Sequence, residues 1–418
     1  MKSRLLPYLI AIMSFPALVS LTPLAAQDQP QLNTTQTRYT VQNLGSLGGT
    51  GCCFVITVNS RGWVDGTSNV AGDKSFHPFL WMDGHMQDLG TLGGPNASVG
   101  GMNDIGDVPV GGADTTTADP LGEDWCGFGT HLICRSYIWH NGKRTLVPTL
   151  GGNNGDVSTI TNAGLVLGFG EIPVRDSTCI PPQVLGFDAF LWKPDQNEIR
   201  MLPPLPGDTV TAAFALNQQD DVAGTSGICG GGLVGTSALH AVIWRNGSPT
   251  YLGGLGGSYG NLANSINNQR QVVGQSDLIG DTTFHAFLWT EDHGLRDLGT
   301  LPGDSASTAN SINDHGQVAI QSCDANFNCR AAIWQDGVMT DLNTLIPADS
   351  PLFLLFANSI NSRGQIVGAA LDRTTGATIP FLATPCDQNE ANSKDCLSPM
   401  QGLFLPALRP DATDGQKP

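Results

Sequence analysis

Apolar residues in this chain come in short runs, each closed by Gly, Asn or Asp. Ser311-Ile312-Asn313-Asp314-His315-Gly316-Gln317-Val318 shows the pattern: an apolar residue, an Asn, two variable residues, a Gly, one more residue and a Val. The phrase recurs from Val58, Met102, Ile160, Leu216, Ile266 and Ile360, seven copies in all. Asn is kept in six copies, with Thr161 the exception, and Gly in five, with Asp220 and Arg270 in its place. Asn suits the first position of a type I turn, and the Gly supplies a left-handed bulge position, so the phrase reads as a tight hairpin. Asp or Arg occupies that position only at some steric cost.

Two further phrases repeat in step with the first. One is Leu89-Gly90-Thr91-Leu92-Gly93-Gly94, with related copies from Leu44, Val147, Leu202, Leu252, Leu298 and Leu342. The other is His285-Ala286-Phe287-Leu288-Trp289, whose Trp returns as Trp81, Trp139, Trp192, Trp244 and Trp334, with Ala383 in the last copy. Each unit therefore holds four short strands: one ending in the Asn phrase, one starting at its Val, one carrying Phe-Leu-Trp and one carrying Asp-Leu-Gly. Helical periodicity is absent. Four strands in roughly 45 residues mark a β-propeller blade, and seven units predict an all-β, seven-bladed β-propeller over residues 38–385. The last unit stops after three strands, while an unmatched fourth strand, Tyr39 to Leu47, precedes the first. The N-terminal strand is thus expected to close the ring and leave no naked edge. Gly402 to Leu405 is the competing fourth strand, and an open solenoid the competing architecture.

A Trp at one position of every repeat is read as packing between blades. Four residues before it stands a polar series, His77, Arg135, Asp188, His240, His285 and Arg330. This is read as a local hydrogen bond to Asp88, Asp297 or Asp341 of the fourth strand. Function is sought where the repeats differ. The segment between strands two and three is extended in units two, three and four: Val108 to Trp139, Val166 to Trp192 and Val222 to Trp244. These inserts and the Gly-Gly turns should share one face, and insertions gathered on a face often mark a binding surface. The candidate binding residues there are Asp114, Glu123, Asp124, Trp125 and His131 in unit two, and Glu171, Arg175 and Asp176 in unit three. Trp125, beside carboxylates, could stack on a sugar ring or simply pack its own loop.

Composition narrows the partners. A net charge of −17 argues against nucleic acid and anionic membranes as ligands. Lys2 and Arg4, an apolar run from Leu5 to Leu21 and Leu24-Ala25-Ala26 read as a signal peptide over residues 1–26, with a linker over 27–37. An uncleaved anchor is the other reading. No later stretch could span a membrane, so the mature chain is expected to be secreted, in the medium or cell envelope, and monomeric. Ten cysteines in an exported chain suggest disulfides. The candidates are Cys126–Cys134, Cys323–Cys329, Cys386–Cys396 and, across neighbouring inserts, Cys179–Cys229; Cys52 and Cys53 stay unassigned. Neither Cys-x-x-Cys nor a His cluster of ligand spacing occurs, so no metal or other cofactor is expected. Catalytic signals are weak. Glu123 with Asp124, or Asp220 with Asp221, could serve glycosidic acid–base chemistry, but adjacent strand residues point apart.

The three phrases together resemble the bacterial extracellular HAF repeat family, named for its His-Ala-Phe, over residues 38–385. Only His285-Ala286-Phe287 keeps that triplet intact, while His240-Ala241 and His77-Pro78-Phe79 keep part of it. The resemblance implies an exported repeat protein and no particular reaction. The expected function is binding of a glycan or an extracellular protein through the loop face of units two to four. A carbohydrate-active hydrolase or lyase on that face, and a purely structural envelope protein, are the alternatives. Residues 386–418 form the C-terminal tail.

Overall fold

The computed structural model describes residues 37–50, 54–230, 238–386 and Cys396, all within one unit, Thr37–Pro418. The leader, most of the linker, Cys52, Cys53, Gly231, Gly232, Gly235 and Gly402 to Leu405 lie outside the described residues.

Seven antiparallel sheets form a seven-bladed β-propeller. Blade 1 is typical: Phe54–Val58, Val64–Asn69, Phe76–Met82 and His85–Asp88 pair in sequence order. Blades 3 to 6 repeat this order over residues 155–202, 210–251, 262–299 and 306–341. In blade 7, Leu352–Ile360, Ile366–Asp372 and Thr378–Pro385 receive Tyr39–Asn43 as their fourth strand. Tyr39 faces Pro385 and Asn43 faces Phe381, and Tyr39 is buried against Leu342, Leu345 and Phe381. The ring is closed by its N-terminal strand, as the unequal ends of the sequence imply.

Blade 2 departs from the expected four strands. Its sheet has three, Val108–Ala118, Leu132–His140 and Lys143–Leu146. Residues 97–101 take the innermost place irregularly, with Ser98 N–H donating to Gly112 O at 2.7 Å and Gly101 N–H to Ser158 O of blade 3 at 2.7 Å. The cause is local. Pro109 offers no N–H to the ladder, and Gly100 leans so far toward blade 3 that a Cβ there would stand 2.4 Å from Val157 O.

The core lies between blades. Val273 and Leu288 of blade 5 pack with Ile320 and Trp334 of blade 6, and Val367 and Leu382 of blade 7 pack with Val55 and Trp81 of blade 1. All six repeated Trp residues are at most 8% exposed, which bears out their packing role; each large apolar side chain so buried contributes about 1.5–3 kcal/mol. The polar series behaves as a local bond in three blades: His77 with Asp88 at 2.9 Å, His285 with Asp297 at 3.0 Å and Arg330 with Asp341 at 3.1 Å. In blade 4, which has Tyr251 on its fourth strand, His240 turns to Asp208 instead, at 2.8 Å.

Candidate functional site

The two ends of the propeller are built differently. At one end the Gly-Gly turns meet the inserts: Gly94 N–H donates to Asp114 O and Gly152 N–H to Glu171 O, each at 3.0 Å. Inserts and Gly-Gly turns therefore share a face.

On that face the inserts hold one another. Glu123 and Glu171 are fully buried. Oε1 of Glu123 accepts from the main-chain N–H groups of Val184 and Leu185 at 2.7 and 2.8 Å, so the blade 2 insert is pinned to the blade 3 insert. Gln183 Nε2 donates to both carboxylates, at 3.2 and 3.1 Å, and Asn154 Nδ2 joins Glu171 to Asp119 at 3.1 and 3.0 Å. Burial pushes the Glu123 carboxyl up to about 7; hydrogen bonds from Leu185 and Val184 oppose the rise, and the neighbouring charge of Glu171 adds to it. Asp114 is buried too and accepts from Thr130 Oγ1 at 3.0 Å; burial raises its pKa. Asp124 accepts from Gly129 N–H at 3.0 Å, and His131 Nδ1 lies 2.9 Å from Gly122 O. Both are used within their own loop. Trp125 packs edge-on against Phe187 with ring centroids 5.5 Å apart, and against Phe169 at 6.0 Å. Arg175 is exposed. Asp176 accepts from Thr178 N–H at 2.8 Å; burial raises its pKa, but hydrogen bonds from Thr209 and Thr178 bring it below the usual range. The structure thus brings Glu123 and Glu171 together behind Gln183, packs Trp125 onto blade 3, and leaves Arg175 apart from them.

All four expected disulfides are present: Cys126–Cys134, Cys179–Cys229, Cys323–Cys329 and Cys386–Cys396. Asp176, Cys179 and Cys229 place their oxygen and sulfur atoms within 4.8 Å of one another. Because the two sulfurs are bonded to each other, this group offers no thiolate to a metal.

The opposite end is a ring made from the seven Asn turns. The third residue after each Asn or Thr has φ between 59° and 92°, including Asp220 and Arg270, so the left-handed position read from sequence is real in every copy. In each of the six Asn copies, Oδ1 accepts from the N–H groups two and four residues later at 2.9–3.1 Å. The amide nitrogen then reaches sideways to the main-chain carbonyl of the equivalent residue in the next blade. These bonds run from Asn59 to Asn103, Asn103 to Thr161, Asn217 to Asn267, Asn267 to Asn313, Asn313 to Asn361 and Asn361 to Asn59, at 2.8–3.3 Å. Thr161 has no amide, and the joint from it to Asn217 lacks this bond.

Inside the ring lies a concavity of about 470 Å³ lined from all seven turns. Its rim carries Ser60, Asp104, Asn162, Gln218, Asn268, Asp314 and Ser362, and its lining residues include no Lys, Arg or His. Asp104 accepts from Ser60 N–H at 2.7 Å and from Asn162 Nδ2 at 3.0 Å. Burial raises its pKa, but hydrogen bonds from Ser60 and Asn162 outweigh that and hold it below the usual range. The phrase is thus a joint between blades as well as a hairpin. One local signal in the sequence points to this: in five copies an Asp or Gln stands four residues after the Asn (Asp107, Asp221, Gln271, Gln317, Gln365) and takes its second amide hydrogen. That leaves the phrase fully satisfied as a joint.

No family model and no curated protein matches this chain. Among solved structures it is similar to the β-propeller domain of the Trilobed protease from Pyrococcus furiosus, at 8% identity and TM-score 0.46, over 81% of this chain and 99% of that one. It is also similar to an oligogalacturonate lyase from Vibrio parahaemolyticus, at 9% identity and TM-score 0.46, over 84% of this chain and 94% of that one. A third is the Pyrococcus horikoshii acylaminoacyl peptidase, at 9% identity and TM-score 0.46, where 83% of this chain spans 54% of that one. The strand pairing of the seven sheets itself defines the propeller. No helix among the described residues is long and apolar enough to cross a membrane.

Proposed function

We propose that the protein is an exported, monomeric propeller of the HAF repeat kind that binds a neutral glycan in the mouth ringed by the seven Asn turns. The observation that carries this reading is the 470 Å³ concavity, whose polar rim stands over a ring of apolar residues including Val58, Met102, Ile160 and Ile312, and which falls in the size range of small-ligand sites, about 300–1,000 Å³. With the Asn amides engaged in the joints, its rim groups, the hydroxyls of Ser60 and Ser362, the amide of Gln218 and the carboxylates of Asp104 and Asp314, supply the donors and acceptors for a polyhydroxylated ligand. Three carboxylates, Asp104, Asp220 and Asp314, and no cationic side chain line it, which disfavours an anionic ligand. Four disulfides support an oxidising compartment. The loop face supports a second reading, an extracellular protein partner, because Val174, Arg175 and Ile180 project from the blade 3 insert and Val174 and Ile180 are 57% and 54% exposed.

Calorimetric titration against a panel of neutral oligosaccharides tests the first reading, with Ser362→Trp as the blocked-mouth variant. Binding by the wild type and loss of it in the variant are expected. Silence across the panel, or equal binding by the variant, would count against the mouth.

A further inference from the structure

The ring has one incomplete joint, and a disulfide stands at that same joint. At the turn end the amide-to-carbonyl bond is missing between Thr161 of blade 3 and Asn217 of blade 4, where six other joints have it. A second tier of bonds runs beside it at four joints: Ser60 N–H reaches Asp104, Asp104 N–H reaches Asn162, Gln218 N–H reaches Asn268 and Asn268 N–H reaches Asp314, at 2.7–3.0 Å. It is absent from Asn162 to Gln218, from Asp314 to Ser362 and from Ser362 to Ser60, but the last two joints keep the first tier, so the joint between blades 3 and 4 lacks both. At the loop end, Cys179 of blade 3 is bonded to Cys229 of blade 4 across 50 residues. Of the four disulfides it alone joins two blades: Cys126–Cys134 lies within the blade 2 unit, Cys323–Cys329 within blade 6, and Cys386–Cys396 follows the last strand.

We infer that the seam between blades 3 and 4 is the point at which the ring opens, and that the Cys179–Cys229 disulfide is its redox-sensitive clasp. The blade 3 insert is fixed on its other side by Glu123, which holds Val184 and Leu185 to blade 2. Release of the disulfide therefore frees the insert only toward blade 4. What remains across the seam is a set of hydrogen bonds and the shared apolar cluster. Beside the disulfide, Ile180 N–H donates to Gly230 O at 2.7 Å, Gly230 N–H to Thr178 O at 3.1 Å and Cys229 N–H to Thr178 Oγ1 at 3.0 Å. Further along, Ser158 Oγ donates to Ala213 O at 2.6 Å, Ala189 N–H to Thr211 Oγ1 at 2.8 Å, and Thr211 Oγ1 to Leu202 O at 2.9 Å and to Asp188 at 3.3 Å. Leu167 and Phe187 of blade 3 pack with Val210 and Val242 of blade 4.

Cleavage needs a dithiol reductant. Cys179 is partly exposed and Cys229 fully buried, so one reductant thiolate attacks Sγ of Cys179 and Cys229 leaves as a thiolate. The reductant's second thiolate then displaces Cys179 from the mixed disulfide. The reductant departs as a disulfide, two electrons pass to Cys179 and Cys229, and the two protons of the reductant's thiols end on them. The inference is independent of what the mouth binds.

Hydrogen exchange on the full chain tests it. In Cys179→Ala/Cys229→Ala, peptides covering 155–160 and 210–216 should exchange about ten-fold faster or more, while those covering 306–312 and 352–360 stay at the wild-type rate. Cys323→Ala/Cys329→Ala should leave 155–160 and 210–216 unchanged. Adding Thr161→Asn to the first variant supplies the missing amide and should recover most of the protection. Wild-type protein under a dithiol reductant should reproduce the pattern at the seam. Uniform loss of protection around the ring, no change at the seam, failure of Thr161→Asn to rescue, or global unfolding of the first variant would each overturn the inference.

Discussion

The side-chain amide of Asn361 donates to the main-chain carbonyl of Asn59 at 2.8 Å, joining residues 302 apart in sequence. The same side chain accepts from Arg363 and Gln365 N–H groups and donates to Gln365 Oε1, at 2.9–3.0 Å. One residue therefore shapes the turn of blade 7 and closes the ring onto blade 1. Only an amide has both an acceptor for the turn and two donors for the joint.

Replacement of Asn361 should show the division of labour. Asn361→Thr keeps the turn acceptor, as Thr161 does, but strands the Asn59 carbonyl; Asn361→Ala loses both. Leaving buried groups unpaired costs about 1–3 kcal/mol, so Asn361→Thr should lie at the low end and Asn361→Ala at the high end. Denaturant unfolding measures both, and wild-type stability in Asn361→Ala would rule out the joint.

Stability should rise as pH falls from 8 toward 5. Burial pushes Asp65, Asp156 and Glu123 up to about 7 and Asp188 to about 6; hydrogen bonds from Thr57 and Met102 to Asp65, and from Thr211 to Asp188, offset it only in part. Their unfolded values lie near 4, so between roughly pH 4 and 7 the folded chain holds more protons than the unfolded one, and stability is lost as pH rises through that window. Melting temperatures across pH 5–8 check the sign. Glu123→Gln should flatten the slope; a melting temperature that climbs toward pH 8 would contradict the assignment.

Trp125 should matter to stability rather than to ligand binding. It lies partly buried on Phe169 and Phe187, and truncating a packed aromatic costs up to about 3–5 kcal/mol. Trp125→Ala is expected to cost about 2 kcal/mol in an unfolding titration, less than full burial implies, with glycan affinity unchanged. A variant of native stability that has lost glycan binding would return the site to the loop face.

Much of this was legible because each signal is local. The blade count, the packing of Trp81 or Trp289 and the left-handed turn positions follow from phrases of a few residues. Cys323 and Cys329 pair at short range, and Cys179 and Cys229 occupy equivalent inserts of neighbouring units. The bond from Asn361 to Asn59 was not legible, since an Asn in a turn explains itself without a partner in the next blade. Nor was the burial of Glu123 and Glu171. The donors that make it tolerable, Gln183 and Asn154, come from other segments, so carboxylates destined for the interior look like surface groups. Blade 2 lost its regular inner strand through Gly100 and Pro109, residues that the repeat pattern did not flag.

Closure by the N-terminal strand has its own consequence. Removing residues 38–47 deletes the fourth strand of blade 7 and uncovers Phe381, Leu342 and Leu345, which pack around Tyr39. The truncated protein should melt well below the wild type and in the same single transition, because the ring fails as a unit. An unchanged melting temperature would mean that another segment completes the blade.

The most direct test of the proposed function is a map of amide protection on adding the tightest-binding neutral oligosaccharide at saturation. Slowed exchange in the rim turns, 59–63, 103–107, 217–221, 267–271, 313–317 and 361–365, with 119–131 and 176–184 unaffected, is the expected result. Protection confined to 119–131 and 176–184 would contradict it and place the ligand on the inserts.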